Sequence, residues 1–216
     1  TFCELFAALF FTSAIALTPL SSVASILMTT PLMVTMGAAV FFGEKVGWRR
    51  WTAIMIGFFG VLLILRPGFD GFMPASLLAV ISTIFLAVRD LATRAMQFEI
   101  STTTVSIYAF FAVGISGFIA MPFFSAMVIP SSIEIVYLIS ATFVGVIAYY
   151  AIVLATRNGD VSVISPFRYS RLVFAMLLSI IILSERPDLL TLSGASIIVM
   201  SGIYSFVREG RLKRIH

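Results

Sequence analysis

Long apolar runs cut by short polar clusters set the pattern of this chain. The runs fall at 2–17, 21–43, 50–66, 74–95, 101–122, 133–155, 161–183 and 189–207, eight in all. Uninterrupted runs of this length predict helices. The clusters between them, TPLSS, EKVGWRR, RPGFDG, FEIST, IPSS, TRNGD and ERPD, are the short punctuation expected where a chain turns. No long linker or low-complexity segment separates them.

A helix needs about 20 apolar residues to cross the hydrocarbon core of a bilayer, and these runs are of that order. Composition strengthens the reading: 60% of residues are hydrophobic and 11% charged, against roughly 25% charged in a soluble domain. Lipid is therefore the expected solvent, and the fold class is an all-α polytopic membrane helix bundle.

Chemistry narrows the function next. Cys3 is the single cysteine, which excludes an internal disulfide framework and a cysteine metal site. The lone histidine is the terminal His216, so neither a histidine base nor a histidine metal ligand is expected. These residues leave no convincing nucleophile and base for an enzyme, and no cofactor or metal is expected. No GxxxxGK[ST] loop is present to let ATP drive the protein directly. The net charge of +4 lies in short clusters between apolar runs and at the end, as in cytoplasmic loops, so it points to a membrane and not to nucleic acid.

Counting Lys and Arg in alternate loops orients the bundle. One side receives Lys45, Arg49, Arg50, Arg94, Arg157, Arg208, Arg211, Lys213 and Arg214; the other has Arg66 and Arg186. The first side is expected to be cytoplasmic, with the C-terminus inside and Arg89 near the inner end of its helix. The chain opens on Thr1 inside an apolar segment with no initiator methionine, and is read as a fragment whose N-terminal part is absent.

An internal repeat is visible once the glutamates are aligned. SSVASILMTTPLMVTMGAAVFFGE, ending at Glu44, lies beside SVISPFRYSRLVFAMLLSIIILSE, ending at Glu185. Ala53 and Gly60 follow Glu44 at nine and sixteen residues, and Gly194 and Gly202 follow Glu185 at nine and seventeen. Small residues at such places suit close helix packing in membranes. In the orientation above the matched segments run in opposite directions, which makes the repeat inverted, as in many transporters.

The segment from ALTPLSSVASILMTTPLMVTMGAAVFFGE through WTAIMIGFFGVLLILRPG, with its counterpart from GDVSVISPFRYSRLVFA through LSERPDLLTLSGASIIVMSG, resembles the EamA type of the drug/metabolite transporter superfamily. The resemblance covers essentially the whole chain. It implies ten helices in two inverted five-helix repeats with both termini cytoplasmic, so eight helices here imply that two precede Thr1. Residues 1–67 are then the end of the first repeat, 74–207 the second repeat, and 208–216 a basic cytoplasmic tail. The halves differ in one respect: Pro31 stands thirteen residues before Glu44, whereas the second half has Leu172 at that place and Pro166 instead. Both prolines are candidate helix breaks, Pro166 alternatively sitting in the first turns of its helix.

Candidate substrate contacts start from SPFRYSRLVFA. For a helix beginning near Val161, Arg168 lies about 10 Å and Arg171 about 15 Å along the axis. They share a face at i and i+3, which Ser165 extends. A central arginine costs about 2.5–3.5 kcal/mol on insertion scales, which an aqueous cavity or acidic partner relieves. Arg171 is the stronger candidate to bind a carboxylate, phosphate or carbonyl with planar donors; Arg168 has the alternative of snorkelling to the surface. Tyr149, Tyr150 and Tyr169 are either cavity walls or ordinary packing. Glu4 is a second buried-looking charge, expected to pair with Arg171 or to exchange protons, with a position near the surface as the alternative. Asp90 and Arg94 can pair at i and i+4, and with Arg89 they read as a solvated helix end. Glu44 and Glu185, at opposite faces, read as caps to loops.

The function expected is a secondary transporter moving a small metabolite, an amino acid, carboxylate or vitamin-like compound, across the inner membrane by alternating access. Protons are the expected coupling ion, and a homodimer stays open. The alternative is a non-transporting membrane scaffold or assembly partner.

Overall fold

A computed structural model describes the chain except for residues 1, 45, 70–71, 96–101, 124–129, 159–168 and 214–216. Its helices are α1 (Phe2–Leu17), α2 (Leu20–Leu27), α3 (Thr30–Phe41), α4 (Trp48–Leu65), α5 (Ser76–Ala95), α6 (Thr102–Ala120), α7 (Ser132–Asn158), α8 (Ser170–Ile181) and α9 (Leu189–Lys213), with a 3-10 turn at Met121–Phe123. No strand occurs among the described residues. Among the described residues, four stretches are long and apolar enough to cross a membrane: Leu20–Phe41, Trp48–Leu65, Ser76–Thr93 and Ser132–Ala151. Four shorter apolar helices accompany them. The last helix runs on through Lys213, into the stretch read from sequence as a tail.

One expected span is divided. The run at 21–43 forms α2 and α3, separated at Met28–Thr29, with Pro31 in the first turn of α3. The cause is local: proline brings no amide to the carbonyl four residues back. The Thr30 hydroxyl donates to that Leu27 carbonyl at 2.6 Å instead, and the Thr29 hydroxyl donates to Ile26 O at 2.6 Å. A helix interrupted inside apolar surroundings thus keeps its carbonyls satisfied, as burial away from water demands.

Around α2 lies the core. Val23, Ala24, Ile26, Leu27 and Met28 are buried together with Val61, Ile64 and Leu65 of α4, Leu172 of α8 and Ile198 of α9. The α4–α9 pair crosses at glycines: a Cβ on Gly60 would stand 2.8 Å from the Gly194 carbonyl oxygen, and one on Gly194 2.6 Å from the Gly60 carbonyl oxygen. Without side chains the backbones touch, which suits association driven by close packing. Gly57 faces Ser201 and Gly60 faces Gly194, so the two helices run antiparallel.

The two segments matched in sequence end in the same backbone turn. Gly43 (φ 66°) and Ser184 (φ 54°) are left-handed, and the next amides, Glu44 N–H and Glu185 N–H, donate to carbonyls six residues back, Ala38 O at 3.3 Å and Ser179 O at 2.9 Å. In both, a left-handed residue turns the chain back on its helix, a conformation that favours glycine; Ser184 adopts it with a side chain. At the far side of the bundle α7 packs on α6 and is exposed along its described length except at the half-buried Tyr149.

Candidate functional site

Charge inside an apolar bundle is the natural marker of a site, and the helix pair α1 and α5 brings three charges together. Every fourth residue of the start of α1 is aromatic, Phe2, Phe6 and Phe10, and this stripe meets Phe85 of α5. The Phe6 and Phe85 rings lie 5.3 Å apart and nearly parallel, and Phe10 and Phe85 5.9 Å apart. The Ser82 hydroxyl donates to Ala7 O across the same interface at 2.8 Å. This packing sets the register that places Glu4 opposite Arg89.

Arg89 uses its guanidinium in two directions. Nη1 donates to both Glu4 carboxylate oxygens, at 3.0 and 2.8 Å. Nε and Nη2 donate to Asp90 Oδ1 at 3.0 and 2.7 Å. Glu4 is buried and Arg89 half-buried, with side-chain exposures of 11% and 23%. Planar, bidentate donors and ionised acceptors make the strong class of hydrogen bond. Tyr149 of α7 lies within electrostatic reach of all three charges, its ring meeting Phe110 of α6 edge-on at 5.3 Å.

Two sequence expectations are corrected here. Glu4 pairs with Arg89, where Arg171 was expected, because α1 packs on α5. Asp90 is also bonded by its own neighbour Arg89, whose long side chain folds back over it; the Arg94 side chain, and with it the expected Asp90–Arg94 pair, lies outside the described residues. Arg89 was read as part of a solvated helix end, yet it is the centre of the cluster. The signal available in sequence was a pair of opposite charges, Glu4 and Arg89, each inside an apolar run.

Of the remaining candidates, those among the described residues lie elsewhere. Tyr169 is buried against α9, where a Cβ on Gly202 would overlap its hydroxyl, and it belongs to the apolar core cluster. Arg171, in the first turn of α8, is exposed. Ser165, Pro166 and Arg168 lie outside the described residues. Among the predicted substrate contacts that are described, Tyr149 is the one beside Glu4.

Polar contacts also tie the halves together at the other end of the bundle. The Leu20 and Ser21 amides, first in α2, donate to the two carboxylate oxygens of Glu185 at 2.7 and 3.1 Å. Arg66, the left-handed C-cap of α4, forms an ion pair with Asp188 just before α9. Hydrogen bonding by Arg66 holds the Asp188 carboxyl well below the usual range, at about 2. Glu185, read as a loop cap, therefore caps a helix from another part of the chain.

Comparison with known proteins agrees on what kind of molecule this is. The EamA-like transporter family matches residues 1–66 and 73–207. An S-adenosylmethionine uptake transporter of Rickettsia conorii is 26% identical over 92% of this chain and 67% of its own length. A riboflavin transporter of Vibrio cholerae is 30% identical over 88% of this chain and 63% of its length. A pseudopaline exporter of Pseudomonas aeruginosa is 25% identical over 88% and 67%. The chain thus spans about two thirds of the length of these relatives. A solved crystal structure superposes on 97% of this chain and 75% of its own at TM-score 0.64 and 22% identity, a likeness of fold.

Proposed function

Because the chain belongs to the EamA-like transporter family, whose relatives here are membrane transporters of small molecules, we propose that it moves a small metabolite across the bacterial plasma membrane by alternating access. The observation that carries this reading is the family match along both halves of the chain. The buried Glu4–Arg89–Asp90 cluster between α1 and α5 supports it, since ionised groups in a membrane span mark substrate or proton pathways by default.

In this reading the two halves are inverted repeats, 1–67 and 74–207, with the C-terminus cytoplasmic. The matching turns at Glu44 and Glu185 support the repeat. Arg89 is the inner charge that a carboxylate or carbonyl of the substrate competes for, with Tyr149 beside it. Protons are the coupling ion, carried by Glu4 when Arg89 turns to substrate. Arg171, with Arg168, Ser165 and Tyr169, forms the second proposed set of contacts. S-adenosylmethionine and riboflavin, the compounds named for the relatives, are the first substrates to try.

The test is uptake and counterflow in proteoliposomes with labelled S-adenosylmethionine, riboflavin and a broad metabolite panel, with Arg89→Ala and Arg171→Ala alongside. Transport lost in Arg89→Ala and kept in Arg171→Ala places the contact at Arg89; the reverse places it at Arg171. Absence of flux for every compound favours a scaffold.

A further inference from the structure

Proline at the N-cap of α2 is the starting observation. Pro19 has no side-chain donor or acceptor with which to cap, and none of the helix's own side chains takes its first amides. Glu185 does so, from 165 residues further along the chain. A helix N-terminus needs acceptors for its free amides and favours a negative charge. The start of α2 is therefore satisfied only while the end of α8 lies against it.

At its other end α2 passes into α3 through a tightened turn, with the Met28 and Thr29 amides donating three residues back to Ser25 O at 3.1 Å and Ile26 O at 3.0 Å. The break at Met28–Thr29 and Pro31 leaves the chain turning there with hydroxyls on its carbonyls. Helix breaks of this kind are where φ/ψ change is absorbed. The Arg66–Asp188 pair crosses between the halves on the same face as Glu185, and α2 itself fills the core between α5, α8 and α9.

We infer that Glu185 is the latch of a gate at this end of the bundle, with α2 the moving half-helix and Met28–Thr30 its hinge. With Glu185 on the Leu20 and Ser21 amides the face is shut. When the carboxylate leaves, those amides turn to water, α2 swings about the hinge and the passage beside it opens. The inference deepens the transport reading by naming the contact that must break in each cycle.

The experiment uses the full chain in nanodiscs, open to reagent on both faces, with Cys3→Ser removing the native thiol and Ser22→Cys placing one in the first turn of α2. The readout is the rate of maleimide labelling, which needs no substrate, so a failure of the transport reading and a failure of the latch are separate outcomes. Glu185→Gln weakens a charge-assisted cap on two amides, and labelling is expected to accelerate roughly tenfold. Adding Pro19→Asp supplies a local cap to α2 and restores thermal stability without restoring the tie to α8, so labelling stays fast. An unchanged rate in the folded Glu185→Gln variant overturns the latch. So does a return to the slow rate with Pro19→Asp, since Glu185 would then be a helix cap and nothing more. Should Glu185→Gln alone fail to fold, the Pro19→Asp double variant carries the same comparison.

Discussion

The two ends of the bundle join α1–α4 to the later helices by different kinds of contact. At one end Glu4 and Arg89 meet side chain to side chain, both carboxylate oxygens on one guanidinium nitrogen and largely out of solvent. At the other, Glu185 meets backbone amides and Arg66 meets an Asp188 that is 47% exposed on its side chain. Removing water raises both the strength of a charge pair and the penalty for breaking it. The first end is thus built to persist until something of equal charge replaces a partner, and the second to part for a small free energy.

Substitutions at Arg89, Glu4, Gly194 and Glu185 put that difference at risk. Arg89→Ala leaves two carboxylates in the bundle without their guanidinium, and a loss of about 3–5 kcal/mol is expected, read as thermal unfolding in detergent. Arg89→Lys should recover part of it, because an ammonium lacks the planar fork. Glu4→Gln combined with Arg89→Ala should be less damaging than Arg89→Ala alone; equal damage would show that the pair carries no special weight. Next in size is Gly194→Ala, which drives a methyl toward the Gly60 carbonyl oxygen and should lower stability by about 1–3 kcal/mol without favouring either end. Glu185→Gln should remove about 1 kcal/mol, the usual worth of an N-cap.

The smallest effect belongs to Arg66–Asp188, a partly exposed pair that solvent screens to less than about 1 kcal/mol. Its pH dependence has a definite sign. The folded carboxyl is lowered to about 2, so its contribution is present above the unfolded value of roughly 3.9. It declines as pH falls from there through about 2. Asp188→Asn should abolish this part of the acid sensitivity, measured as the difference in melting temperature between the variant and the parent across that window. A difference that fails to shrink as pH falls through that window would contradict the assigned partner.

Much of the bundle was legible because lipid makes length and hydropathy decisive. The runs at 2–17 and 50–66 correspond closely to α1 and α4, since a helix is the one way a single apolar segment satisfies its own backbone. Pro31 marked where the second run divides, because a missing amide is a local property. The site was harder to see. Glu4 and Arg89 stand 85 residues apart, and each alone has a bland reading near a helix end. The flexible Arg89 side chain also reaches its neighbour Asp90, a contact that helical i, i+4 spacing does not suggest. Glu185 looked like the end of a loop because the amides it caps belong to a helix begun 165 residues earlier.

By itself, then, the amino-acid sequence determined the all-helical membrane class, the turns and the kinship of the chain, all of which follow from composition and short-range periodicity. Tertiary structure decided which charge meets which. Helix neighbours are chosen by small contacts such as Gly60 on Gly194 and Phe85 between Phe6 and Phe10. Such contacts depend on shape across the bundle, and no local pattern along one helix encodes them.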